Sequence, residues 1–165
     1  MNQKKFQKIS ILLLLSFNVI LLSVTWIMML QAYPRLPGEI PYWLNLAGQE
    51  VFRFPKSPII FIYPVAQSLF LPLFWLLSSR WIKKPDSPGA GAELTEILTG
   101  LKKELVLLLM IFFNLIFIHI QRSLIWLAHG LGPGVNKIYF FSLIIIIFLL
   151  IPYYRFRRSL ILRMN

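Results

Sequence analysis

Residues 9–31 read ISILLLLSFNVILLSVTWIMMLQ, twenty-three positions without one charged side chain. As a helix rising 1.5 Å per residue, such a run covers the roughly 30 Å hydrocarbon thickness of a bilayer. Lys4, Lys5 and Lys8 precede it, which is also how a secretory signal begins. A signal core, however, is only about 7–15 residues long and ends at a small-residue cleavage site. This run is longer and no such site follows it, so it reads as a retained anchor.

Three further apolar runs lie beyond it. One spans 58–79, PIIFIYPVAQSLFLPLFWLLSS, where Pro64 and Pro72 each remove a backbone donor and predict a bent or locally unwound helix. Another spans 104–128, and the last spans 138–153 and contains LIIIIFLLI ahead of Pro152 and an aromatic, basic tail. The whole chain of 165 residues is 58% hydrophobic and only 14% charged, where a soluble domain carries about a quarter charged residues. Too little polar surface exists to cover a water-soluble globule. The expected fold is therefore an all-α membrane protein, a four-helix transmembrane bundle forming a single domain over 1–165.

Cation placement sets the expected orientation. The N-terminal segment, the second connection (80–103) and the C-terminal tail together hold twelve Lys and Arg, against four in the first connection (32–57) and the third. The positive-inside rule then places both termini and the second connection in the cytoplasm and the first connection outside. Trp26, Tyr33, Trp81, Trp126, Tyr139 and Tyr153 fall near the predicted interfaces, as an aromatic belt requires. The net charge of +11 lies beside apolar runs and comes with no nucleic-acid-binding signature. It points to anionic headgroups and the lipid bilayer, not to DNA or RNA. Within the second connection, PDSPGAGAE is a turn-rich linker. Leu94, Ile97, Leu98, Leu101 and Leu105 then recur at helical spacing. Residues 91–103 form either a cytoplasmic interfacial helix lying on the membrane or a stalk that extends the third span.

The first connection, YPRLPGEIPYWLNLAGQEVFRFPKSP, is the most distinctive segment. Pro34, Pro37 and Pro41 hold it extended, and its apolar bulk predicts a proline-rich extracytoplasmic loop folded back over the bundle. Leu36-Pro37-x-x-Ile40-Pro41, followed by Asn45, Gly48 and Lys56 ahead of a proline-bearing second span, resembles the bacterial family called domain of unknown function 1648. That family is related to the front half of SdpI-type immunity and signalling membrane proteins. Its usual pattern, LPxxIPxHWNxxGxxD with a following lysine, assigns Leu36, Pro37, Ile40, Pro41, Gly48 and Lys56 to the loop scaffold. Here Trp43 stands at the histidine position, Leu44 at the next aromatic and Val51 at the aspartate, with Glu50 one place earlier. Any metal or proton bound through that His and Asp is therefore lost. The resemblance implies a bacterial inner-membrane protein with a ligand-sensing or immunity role exercised through this loop.

An ionisable residue within a span costs roughly 2.5–3.5 kcal/mol near the membrane centre and is a functional candidate. In the third span His119 and Arg122 lie three apart and share a face, as do Asn114 and Gln121, seven apart. Arg122 falls near the outer boundary. It either snorkels to the headgroups or, with His119, faces a cavity capped by the first loop, with Glu39 or Glu50 as counter-charge. Such a cavity would take an anionic or pH-sensitive ligand. The candidate ligand or partner site is thus Trp43, Asn45, Glu50, His119 and Arg122. Ser16, Asn18, Ser23, Thr25, Gln67 and Ser68 read as interhelical hydrogen-bonding positions.

Catalytic signatures are missing. The chain has two histidines, no cysteine, no HExxH, no nucleophile elbow and no phosphate-binding glycine loop. No catalytic, cofactor-binding or metal-ligating residue is assigned. The expected function is a non-catalytic multi-pass membrane protein. Its alternatives are an accessory subunit docking a larger membrane partner and, more weakly, a small oligomeric transporter. All six carboxylates lie outside the predicted membrane depth, which argues against ion coupling.

Overall fold

The computed structural model describes residues 3–44, 50–84, 91–131 and 134–164. Four long helices dominate: α1 (Gln3–Ala32), α2 (Ile62–Lys83), α3 (Ala92–Ala128) and α4 (Lys137–Met164). Each is long and apolar enough to cross a membrane. Between α1 and α2 come a 3-10 turn (Tyr33–Arg35), strands β1 (Glu39–Leu44) and β2 (Glu50–Pro55), and a second 3-10 turn (Pro58–Phe61).

α3 is the hub. It packs against α1, α2, α4 and β1, and one face or another is buried along nearly its whole length. The remaining helices present their apolar side chains outward: Leu13 and Ile20 on α1, Leu69 and Leu76 on α2, and Phe148 and Ile138 on α4, the last 82% exposed. Buried positions meanwhile include Asn18, Thr25, Gln67, Lys102, Glu104, Asn114 and Gln121. Polar inside and apolar outside inverts the arrangement that water imposes on a globule.

Two helices are longer than the apolar pattern predicts, for one shared reason. Of the two alternatives for 91–103, residues 92–103 follow the stalk that extends the third span. They are the first turns of α3, a single helix of 37 residues, about 55 Å long. The face expected to lie on headgroups (Ile97, Leu98, Leu101, Leu105) instead packs against Tyr154 and Ile161 of α4. That contact likewise carries α4 through Pro152 and the basic tail as helix to Met164, beyond the apolar span expected to end at 153. The linker read at 85–90 lies outside the described residues.

The prolines of α2 do not interrupt it. Pro64 is the third residue of the α-helix, where no intrahelical N–H bond is due. The helix is continuous across Pro72. The structure also departs from an all-α fold. The first connection contains an antiparallel hairpin, pairing Glu39 with Pro55, Ile40 with Phe54 and Pro41 with Arg53, with irregular register near Trp43. A two-stranded sheet has only edges, so Pro41, lacking a donor, fits without breaking an inner ladder. As expected, the segment folds back onto the bundle. Leu36 and Ile40 join Met29 of α1, Ile60 and Ala128 of α3 in one buried cluster.

Candidate functional site

The hairpin is fastened by side chains that satisfy backbone groups. Lys56 Nζ donates to the carbonyls of Pro34 and Leu36, both at 3.1 Å, and sits 5.0 Å from the centre of the Tyr33 ring. The Tyr42 hydroxyl accepts from Ser57 N at 2.7 Å and faces the carbonyls of Pro55 and Ser57. The Tyr63 hydroxyl, at the start of α2, donates to the Tyr42 carbonyl. His129, capping α3, places Nδ1 2.8 Å from the Ile125 carbonyl and Nε2 3.1 Å from that of Arg35. A neutral ring donates to one of these, a doubly protonated ring to both. Among the scaffold positions, Leu36, Ile40 and Pro41 are buried and Pro37 is partly so. Gly48 and Asn45 lie outside the described residues, as does the side chain of Trp43.

Glu50 does not serve as counter-charge to the third helix. It pairs with Arg53 of its own hairpin, Arg53 Nε donating to both carboxylate oxygens at 3.0 Å. This hydrogen bond, with the accompanying charge, holds the Arg53 guanidinium above its ordinary pKa. Arg53 Nη2 also reaches the Leu127 carbonyl at 3.4 Å, tying β2 to the end of α3.

His119 and Arg122 do line one cavity, of about 210 Å3, together with Ser123, Trp126, Asn136 and Tyr139. The cavity belongs to α3 and the start of α4, and none of the described hairpin residues lines it. The described members of the composite site expected from the sequence thus fall into two separate features, Glu50 on the hairpin and His119 with Arg122 in the cavity. Helix geometry explains the separation: at about 100° per residue, Arg122 lies roughly 120° and His119 roughly 180° around α3 from Ala128, which faces the hairpin. Within the cavity, Asn136 N donates to His119 Nε2 at 3.1 Å. The Tyr139 ring is 4.7 Å from the imidazole, and the Arg122 guanidinium lies 3.9 Å from the centre of the Trp126 ring. Asn136 Oδ1 accepts from Tyr139 N at 3.1 Å, which makes Asn136 the N-cap of α4.

Deeper in the bundle three amides form a relay across three helices. Gln67 Nε2 donates to Asn114 Oδ1 (2.5 Å), and Asn114 Nδ2 donates to Asn18 Oδ1 (2.8 Å). Asn18 Nδ2 lies 2.9 Å from the Leu14 carbonyl and 3.1 Å from that of Leu107. Ser23 and Thr25, by contrast, bond only carbonyls of their own helix. Gln121 is fully buried with no partner for either amide atom among the described residues.

At the far end of α3, the buried Lys102 Nζ donates to the carbonyls of Trp81 (3.3 Å) and Lys84 (2.5 Å), at the C-terminus of α2. Glu104 accepts from Arg157 of α4 at 3.0 Å. Neither clasp is legible in the sequence, because each joins residues of two helices that are far apart in the chain. The Asn136 cap was also missed, although an asparagine directly before an apolar run signals one. Among the described residues no three acidic, histidine or cysteine side chains come together as a metal site would need. No family model, curated protein or solved structure matches the chain.

Proposed function

We propose that this chain is a non-catalytic, four-span protein of the bacterial inner membrane. Its termini lie in the cytoplasm, and its hairpin acts outside as a recognition element. The observation that supports this most is the hairpin itself: anchored by Ile40, Tyr42, Lys56 and Tyr63, it leaves Val51, Phe52 and Phe54 uncovered on β2. A rigid support under exposed aromatic side chains is the arrangement that contact surfaces favour, since little ordering entropy remains to be lost on binding. The resemblance of Leu36 to Lys56 to domain of unknown function 1648 extends the reading to sensing, immunity or signalling. The outward apolar side chains and the cation asymmetry support the membrane and the orientation.

The chain has no cysteine, so single-cysteine labelling tests the orientation directly. In intact cells, a membrane-impermeant maleimide labels Phe52→Cys, while Ser159→Cys reacts only after permeabilisation; the opposite pattern overturns the topology. A photo-crosslinking residue at Phe54 tests recognition by yielding a discrete adduct. An accessory-subunit role has its own support in α4, whose outer face of Phe141, Ile145 and Phe148 is bare. A stoichiometric adduct from position 148, with none from 54, would favour that second reading.

A further inference from the structure

Among the described residues lining the α3–α4 cavity, Arg122 is the one Lys or Arg and none is acidic. Glu50 is taken by Arg53, and Glu104 by Arg157 at the other end of α3. Glu39 lies on β1, which contributes nothing to the lining, so among the described residues the cavity charge has no counter-ion. The exposed guanidinium lies 3.9 Å from the centre of the Trp126 ring, a cation–π contact that restrains it without using its N–H donors. Those donors are left to form the fork that matches two oxygens of a tetrahedral or planar anion. His119, 9% exposed, accepts from Asn136 N through Nε2, so in the neutral ring the proton sits on Nδ1 as a second donor. Tyr139, whose ring lies 4.7 Å from the imidazole, brings a phenol to the lining. A volume of 210 Å3 has room for several water-sized groups of about 30 Å3. Arg122 is six residues from the end of α3, about 9 Å along its axis, at the depth where a long helix meets headgroups.

We propose that this cavity binds a phosphate-class anion, with Arg122 supplying the charge, Trp126 orienting it, and His119 and Tyr139 completing the donor set. Two sources share this chemistry: the phosphodiester of a lipid headgroup and free inorganic phosphate. The lipid source rests on the membrane-spanning reading; the free-anion source does not.

The test uses the full chain purified in a neutral detergent. Native mass spectrometry compares retention of phosphatidylglycerol and phosphatidylcholine, and a parallel thermal melt titrates inorganic phosphate. Retention of phosphatidylglycerol that falls by about tenfold or more in Arg122→Gln and in Trp126→Leu, with phosphate without effect, identifies the lipid source. A phosphate-dependent rise in melting temperature that is lost in Arg122→Gln identifies the free anion. Arg35→Gln, a cation at the same end but outside the cavity, is the control. The proposal is overturned if Arg122→Gln behaves as wild type in both arms, or if Arg35→Gln weakens retention as much as Arg122→Gln does. Arg122 is exposed, so Arg122→Gln should fold, and unchanged helicity in Trp126→Leu confirms the second variant. The phosphate arm needs no bilayer, so its result stands whether or not the labelling experiment supports the topology.

Discussion

Replacing Asn114 with leucine probes the centre of the bundle at nearly constant volume. Asn114 is fully buried and joins Gln67 of α2 to Asn18 of α1 through bonds of 2.5 and 2.8 Å. Asn114→Leu removes both bonds, each worth about 0.6 and at most about 1.7 kcal/mol between helices in a membrane. The loss is uneven. Asn18 keeps its two backbone carbonyls, but Gln67, whose Oε1 is already unpartnered, is left with no partner for its buried amide. An orphaned polar group costs about 1–3 kcal/mol, and in lipid the unfolded reference also finds partners, so the lower half of that range applies. The sum comes to about 2 kcal/mol, a factor of about thirty in the folding equilibrium. Reversible unfolding in mixed detergent and dodecyl sulfate micelles, followed by helicity, measures it. Gln67→Met combined with Asn114→Leu should cost less than the two single changes together, by about 1 kcal/mol, because the double variant orphans nothing on α2. A single-variant cost below about 0.5 kcal/mol, or strict additivity, would refute the relay as a stabilising link.

Three further outcomes follow from the same geometry. Lys102→Met uncaps the α2 carbonyls of Trp81 and Lys84, and should cost about 1–2 kcal/mol, with faster hydrogen exchange around 79–84 than in the middle of α3. Lys56→Met frees the Pro34 and Leu36 carbonyls and should speed tryptic cleavage after Arg53 by about fivefold; an unchanged rate would mean the hairpin is held without it. Gly100→Ala places a methyl group 2.2–2.4 Å from the Gln7 amide and breaks its bond to the Ile97 carbonyl, but gains helix propensity of about 1 kcal/mol. Gln7 is the flexible end of a long side chain, so the alanine variant should unfold within about 0.5 kcal/mol of wild type, while Gly100→Leu should cost clearly more.

The sequence discloses the number, order and centres of the four helices because apolar length is a local signal. It conceals their ends, since those of α3 and α4 are set by one another: Leu98 and Leu101 need Tyr154 and Ile161, fifty or more residues away in the chain, to become core. The hairpin escapes for a related reason. Pro34, Pro37 and Pro41 argue against a strand until β2 is known to be its sole partner. His119 and Arg122 are legible as neighbours from their spacing, and Asn18, Gln67 and Asn114 as bonding residues from their depth. Which groups they meet is not legible. Asn136 closes the cavity that the hairpin residue Glu50 is expected to serve, a choice made by the rotation of α3 and invisible in composition.

The relay also constrains how the molecule is made. Synthesis delivers α1 and α2 before α3, yet Asn18 and Gln67 each reach across to α3 for their interhelical partners. Until Asn114 emerges, the Gln67 amide lacks its α3 partner and Asn18 keeps only the bond to the Leu14 carbonyl of its own helix, so the pair of helices already inserted is an unfinished assembly. The third helix acts as the keystone of biogenesis, and a chain truncated ahead of it should be treated by the cell as waste to be cleared.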